Sequence, residues 1–130
     1  MNLSKHFLSN LINKVIENEK KNINRKGFIS FELEADVTIP AEYILMMHFL
    51  GDININLQDK IKNYILRNQN KEGGWPLFFN GDSDLSASVK AYYALKLSGV
   101  SVNSEPLIKA KKLIINKGGA ENSNVFTKIT

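Results

Sequence analysis

The chain has 130 residues, 43% hydrophobic and 23% charged, a balance that belongs to globular proteins and excludes a disordered one. It has no cysteine, which excludes disulfide frameworks, thiolate zinc sites and cysteine nucleophiles. The net charge of +4 comes mostly from lysine scattered along helix-like segments, not from the clustered arginine and aromatic face that nucleic acid requires.

In chain order, the N-terminus "MNLSKHFLSNLINKVIENEK" is broken by polar residues and lacks the apolar core of a secretory signal. Leu3, Phe7, Leu8, Leu11, Ile12, Val15 and Ile16 recur at three- and four-residue steps and predict an amphipathic helix ending near Lys20. Gly27 breaks that pattern. Phe31, Leu33 and Ala35 then alternate with Glu32, Glu34 and Asp36, as in a short extended linker. Thr38 is the expected N-cap of a second helix, with Pro40 in its first turn, Glu42 near its positive end and Gly51 as its stop. His48 on this apolar helix has no second histidine at ligand spacing and is expected as a packed core residue.

A third helix is predicted from about Leu57 to Asn68, with Leu57, Ile61, Tyr64 and Ile65 inward. Asp84 is expected to cap a fourth, whose inner face is Leu85, Val89, Tyr92 and Leu95 before Gly99. Ser104, Glu105 and Pro106 open a fifth, with Leu107, Ala110, Ile114 and Ile115 inward, and Lys117 to Gly119 close it. A sixth starts near Ser123, and the chain stops at Thr130 within a helical pattern, as if further sequence were lost or separately supplied. Gly73-Gly74 and Gly118-Gly119 follow the third and fifth helices, 45 residues apart, a spacing found in helical repeat proteins. The expected fold is all-α: helical hairpins forming part of an α/α array.

The only tryptophan, Trp75, follows Gly73 and Gly74, with Gln69 six residues upstream. A buried indole N–H needs a partner, and the Gln69 amide is a candidate that would make the pair a clasp between helices. The alternative is an ordinary core aromatic beside a solvated glutamine.

The segment "YILRNQNKEGGW", carrying Tyr64, Gln69, Gly73 and Trp75, resembles the QW repeat of triterpene cyclases. The blocks "FELEADVTIPAEYILMMHFLG", "GGWPLFFNGDSDLSASVKAYYALKLSGV" and "KGGAENSNVFTKI" resemble, in order, the N-terminal part of bacterial squalene–hopene cyclases. The likeness implies that residues 1–130 are an incomplete piece of a two-barrel α/α enzyme, led by an amphipathic helix and linker over residues 1–26. It further implies cyclisation of squalene to hopene or hopanol with no cofactor and no metal, a cytoplasmic location with peripheral contact on the inner face of the cell membrane, and a C-terminal cyclase half as partner. Before "FELEAD", where the family carries another QW repeat, this chain has Ile23 and Ile29 instead.

The family's proton donor belongs to an Asp-x-Asp-Asp motif in the C-terminal part. The only Asp-x-Asp in this chain, Asp82 to Asp84, is followed by Leu85 and is read as a helix cap, so no catalytic residue is assigned here. Glu42 matches a glutamate of the family's polar network that holds water near the end of the cavity, with first-turn helix stabilisation as the alternative. Phe126 matches a position close to the substrate cavity, with a core aromatic as the alternative. Lys90 and Asn124 match positions near the same polar region, with solvated or capping roles as alternatives. Two hypotheses follow. The chain is part of a cyclase, inactive alone, or it is no enzyme: a helical module that binds an isoprenoid, a membrane or a protein, or a gene relic. Prenyltransferase β-subunits also build α/α barrels, but the lack of cysteine argues against their zinc site.

Overall fold

The computed structural model describes residues 5–29 and 36–129 and divides the chain into two compact units, Met1–Glu34 and Ala35–Thr130. The alternation around Phe31 and Leu33, expected as an extended linker, lies outside the described residues, as does Leu3.

The first unit holds α1 (Lys5–Lys21), followed by a tight reversal. Asn24 N–H donates to the Phe28 carbonyl at 3.0 Å and Gly27 turns the chain at φ +84°. Ile23 and Ile29 thereby face each other in an isolated antiparallel bridge.

The second unit contains α2 (Thr38–Leu50), α3 (Ile55–Arg67), β1 (Trp75–Pro76), β2 (Ser83–Asp84), α4 (Leu85–Leu97), α5 (Glu105–Asn116), a single 3₁₀ turn (Ala120–Asn122) and α6 (Val125–Ile129). The fold is all-α, as expected; among the described residues the only strands are the two-residue pair β1 and β2, antiparallel with Trp75 opposite Asp84. At the centre is α4, which packs against α2, α3, α5, both strands, the 3₁₀ turn and α6. Its inward face is not the expected row of Leu85, Val89 and Tyr92, which are half-buried, but Ala87, Ser88, Lys90, Ala91, Ala94 and Leu95. Small side chains let several helices approach one axis closely, which a row of large residues would prevent. In α5 the buried residues are Leu107, Ala110, Leu113 and Ile114, so Leu113 takes the place expected for Ile115, which is exposed.

Helix ends follow local chemistry with two corrections. Asp84 Oδ1 accepts from the Ala87 N–H at 2.8 Å and caps α4 as expected. Thr38 does not cap α2; it is the first helical residue, and Asp36 Oδ1 accepts from both its N–H at 2.7 Å and its hydroxyl at 2.6 Å. Glu42 is therefore the fifth residue of α2, too deep to act on the helix's positive end. Gly51 stops α2 at φ +70°, with its N–H on the His48 carbonyl and that of Asp52 on the Met47 carbonyl. His48 is half-buried, and its Nε2–H donates to Gln58 Oε1 at 2.7 Å, tying α2 to α3.

The glycine pair does not end α3, which stops at Arg67. The glycines serve close packing instead. Gly73 sits at φ +94°, and a Cβ there would lie 2.5 Å from Lys109 Cβ and 2.8 Å from the Lys109 carbonyl carbon in α5. A Cβ on Gly74 would lie 2.6 Å from Ser83 Cβ. Gly73→Ala must therefore adopt a left-handed backbone and displace α5, whereas Gly51→Ala meets only the backbone cost because nothing lies within 4 Å. Urea denaturation is expected to show a loss of about 1 kcal/mol for Gly51→Ala and about 3 kcal/mol or more for Gly73→Ala.

Candidate functional site

Trp75 is fully buried, and its indole N–H donates to the Ile65 carbonyl at 2.7 Å, not to Gln69 as expected. Its backbone N–H donates to Ser88 Oγ at 3.1 Å, and that hydroxyl donates on to the Asp84 carbonyl at 2.6 Å. Gln69 is free to work elsewhere: its Nε2 donates to the Gly73 carbonyl at 2.8 Å and to the Pro106 carbonyl at 2.9 Å. Tyr64, half-buried, gives its carbonyl to the N–H and side-chain amide of Asn68, closing α3. Asn70 arranges the loop between them. Its Oδ1 accepts from the N–H groups of Glu72 and Gly74, and its Nδ2 donates to Ser83 Oγ at 2.7 Å. Tyr64, Gln69, Gly73 and Trp75 thus lie in one bonded connection from α3 to α4 and α5.

The four residues expected near a cavity converge on one place. Ser86 and Lys90 stand one turn apart on the same side of α4. Lys90, only 7% exposed, donates from Nζ to Glu42 Oε1 of α2 across 48 residues of sequence. Neither a solvated nor a capping role describes Lys90. An ammonium buried to that degree requires a counter-charge, and Glu42 supplies it. Ser86 Oγ accepts from the Asn124 N–H at 2.9 Å, and Asn124 Oδ1 caps α6 through the Thr127 N–H at 2.9 Å. One turn of α4 therefore fixes both the carboxylate on α2 and the start of α6, which carries Phe126.

Phe126 is 71% exposed, so the expected alternative of a core aromatic does not hold. It lines an open groove of about 530 Å³ together with Ile129 of α6 and Ile39, Glu42, Tyr43 and Met46 of α2. The wall is apolar except for the Glu42 carboxylate and the Tyr43 hydroxyl. Glu42 Oε1 is held by Lys90, and Oε2 has no hydrogen-bond partner among the described residues, so the groove offers one fixed acceptor beside hydrocarbon and aromatic surface. That chemistry suits an apolar ligand with one polar atom or an associated water.

Sequence reasoning missed Ile39, Tyr43, Met46 and Ile129. The first three were findable: with Leu50 they recur at steps of four, three and four, opposite the buried Ala41, Ile44 and Leu45. A helix that is apolar on both sides is covered on both sides in a complete protein.

The family model for the squalene–hopene cyclase N-terminal domain matches residues 12–130. The chain is 52% identical over 103 residues, 78% of its length, to a probable squalene–hopene cyclase of Sinorhizobium fredii, and 50% identical over 107 residues, 82% of its length, to the squalene–hopene cyclase of Zymomonas mobilis. It is 41% identical over 128 residues, 98% of its length, to the squalene–hopene cyclase of Schizosaccharomyces japonicus. The matched regions are 16%, 16% and 20% of those three proteins, so the chain spans a small N-terminal part of the relatives' length.

The ion pair makes a stability prediction. Glu42→Ala strands the Lys90 ammonium and is expected to cost about 2 kcal/mol, below the 3–5 kcal/mol of a fully buried pair because the Glu42 side chain is 44% exposed. Adding Lys90→Met removes the stranded charge while keeping volume. The double variant is expected to melt higher than Glu42→Ala alone in thermal denaturation.

Proposed function

The chain belongs to the squalene–hopene cyclase N-terminal domain family, and we propose that it forms part of the α/α-barrel wall around the substrate cavity of such an enzyme. The observation that carries this reading is the groove between α2 and α6, where Glu42 and Phe126 share an apolar surface left open in the second unit, with Lys90 holding Glu42 and Asn124 capping α6. In this reading Phe126, Tyr43 and Met46 contact squalene or a related polyprene. An aromatic face there stabilises positive charge developing along the chain. Glu42, held in place by Lys90, orients a water or accepts the final proton at the end of the cascade. Gln69 and Trp75 act as a clasp, keeping the α3 to α4 connection tight against α5. The relatives do not favour the alternative of a non-enzymatic module.

The acid that starts the reaction is supplied by the C-terminal part of the enzyme, since no Asp-x-Asp-Asp occurs in this sequence. The purified chain is accordingly expected to convert no squalene. A chimera in which it replaces the matching segment of the Zymomonas mobilis cyclase is expected to convert squalene, as followed by gas chromatography. In that chimera Phe126→Ala is expected to lower kcat/KM about tenfold, equivalent to about 1.4 kcal/mol of transition-state stabilisation. Glu42→Gln is expected to shift the ratio of alkene to alcohol product. A folded chimera indifferent to both substitutions contradicts the assignment.

A further inference from the structure

The turn between β1 and β2 carries the dipeptide Asn80-Gly81, and Asn80 is the only asparagine of the sequence that precedes a glycine. It is exposed, and it is the only described residue other than glycine with a positive φ, +58°. The Gly81 N–H closes the turn on the Phe78 carbonyl at 3.0 Å. Asparagine suits the third position of such a turn because its short polar side chain tolerates the left-handed region. Gly81 is not at positive φ, so its missing side chain matters for a different reason. A Cβ there would lie 2.9 Å from Phe78 Cε2; the aromatic ring rests directly on this residue.

The same arrangement sets up a reaction. The Gly81 nitrogen and the Asn80 side-chain carbonyl carbon belong to adjacent residues and close a small ring when they join, so the nucleophile is present at high effective concentration. Without a Cβ on Gly81, nothing hinders that nitrogen. Among the described residues no hydrogen bond holds the Asn80 amide. Two features restrain the attack. The nitrogen must give up the proton it donates to Phe78, and the Phe78 ring shields it from solvent base. Phe78 is itself 72% exposed, and the turn lies at a loop tip, where local opening costs least.

We propose that Asn80 is a deamidation site gated by the Phe78 turn, and that its conversion loosens the start of α4. When the turn opens, base removes the Gly81 amide proton and the nitrogen attacks Asn80 Cγ. The Cγ–Nδ2 bond breaks, and the departing nitrogen takes up a proton and leaves as ammonia, giving a succinimide. Water then opens either carbonyl of that ring to aspartate or isoaspartate, with no change of oxidation state. The isoaspartate linkage adds a methylene to the backbone just before Ser83 and Asp84. Ser83 Oγ accepts from Asn70 and donates to Glu72 at 3.0 Å, and Asp84 caps α4, so a lengthened turn displaces both. The site lies outside the groove of α2 and α6 and does not depend on the function assigned to it.

The test is incubation of the 130-residue chain at physiological temperature and pH, followed by mass spectrometry of its tryptic peptides and methylation by isoaspartate methyltransferase. Asn80 is expected to convert at least about tenfold faster than Asn103 and Asn122, which precede serine, whose side chain hinders the nitrogen. In concentrated urea the Asn80 rate is expected to rise about tenfold further, because the turn is then always open. Phe78→Ala is expected to move the rate in buffer toward that in urea. Gly81→Ala is expected to slow conversion in urea, where folding plays no part. The purified isoaspartate form is expected to melt below the unmodified chain. Conversion no faster than at Asn103 or Asn122, equal rates in urea and buffer, indifference to either substitution, or an unchanged melting temperature overturns the proposal.

Discussion

The burial of one indole sets the geometry of the second unit. Trp75 reaches back to the Ile65 carbonyl and holds its own N–H on Ser88, so one residue joins α3 to α4 through two hydrogen bonds in a dry environment. Bonds of this kind contribute modestly when made and cost more when one partner is left unpaired, so they specify a single arrangement. The approach is close enough that neither Gly73 nor Gly74 has room for a Cβ. Gln69 then carries the constraint to α5 through the Pro106 carbonyl. With α4 fixed against α3 and α5, its outer turn presents Lys90 to Glu42 and Ser86 to Asn124. The groove is a consequence of that placement.

Several features were legible from residue order because their causes are local. Asp84 as a cap, Gly51 as a stop and the helix over α5 depend on a few neighbouring residues. The roles that depend on tertiary partners were not. Apart from the resemblance, which put Glu42 in a polar network, its position alone suggested an influence on its own helix end, yet its partner is 48 residues away on α4. Lys90 was placed near the polar region by resemblance alone, with solvated or capping roles as alternatives, because a lysine among Val89 and Ala91 carries no sign of a distant carboxylate. Leu85, Val89 and Tyr92 looked like the core of α4 because size and hydrophobicity dominate a periodicity argument. The true face is mostly alanines and serine, with Lys90 and Leu95, and the value of the small residues lies in allowing contact on several sides.

The pairing of Gln69 with Trp75 illustrates the same limit. Their spacing pointed to a clasp, and both residues do tie helices together. The acceptors, however, are main-chain carbonyls of Ile65, Gly73 and Pro106, which carry no side-chain signature in a sequence. Phe126 was legible only through resemblance, since an aromatic in a short amphipathic segment reads first as core. Its exposure beside Ile39, Tyr43 and Met46 follows from α2 having two apolar sides, one of which faces α4 while the other lines the groove.

The central claim is that this groove is part of a substrate cavity completed by the rest of the enzyme. Photocrosslinking tests it most directly, using a diazirine-bearing squalene analogue with the chimeric cyclase and locating the labelled peptides by mass spectrometry. Labelling of Tyr43, Met46 or Phe126, suppressed by excess squalene, is the predicted result. Labelling confined to other surfaces, with these three residues unmodified in an active enzyme, would contradict it.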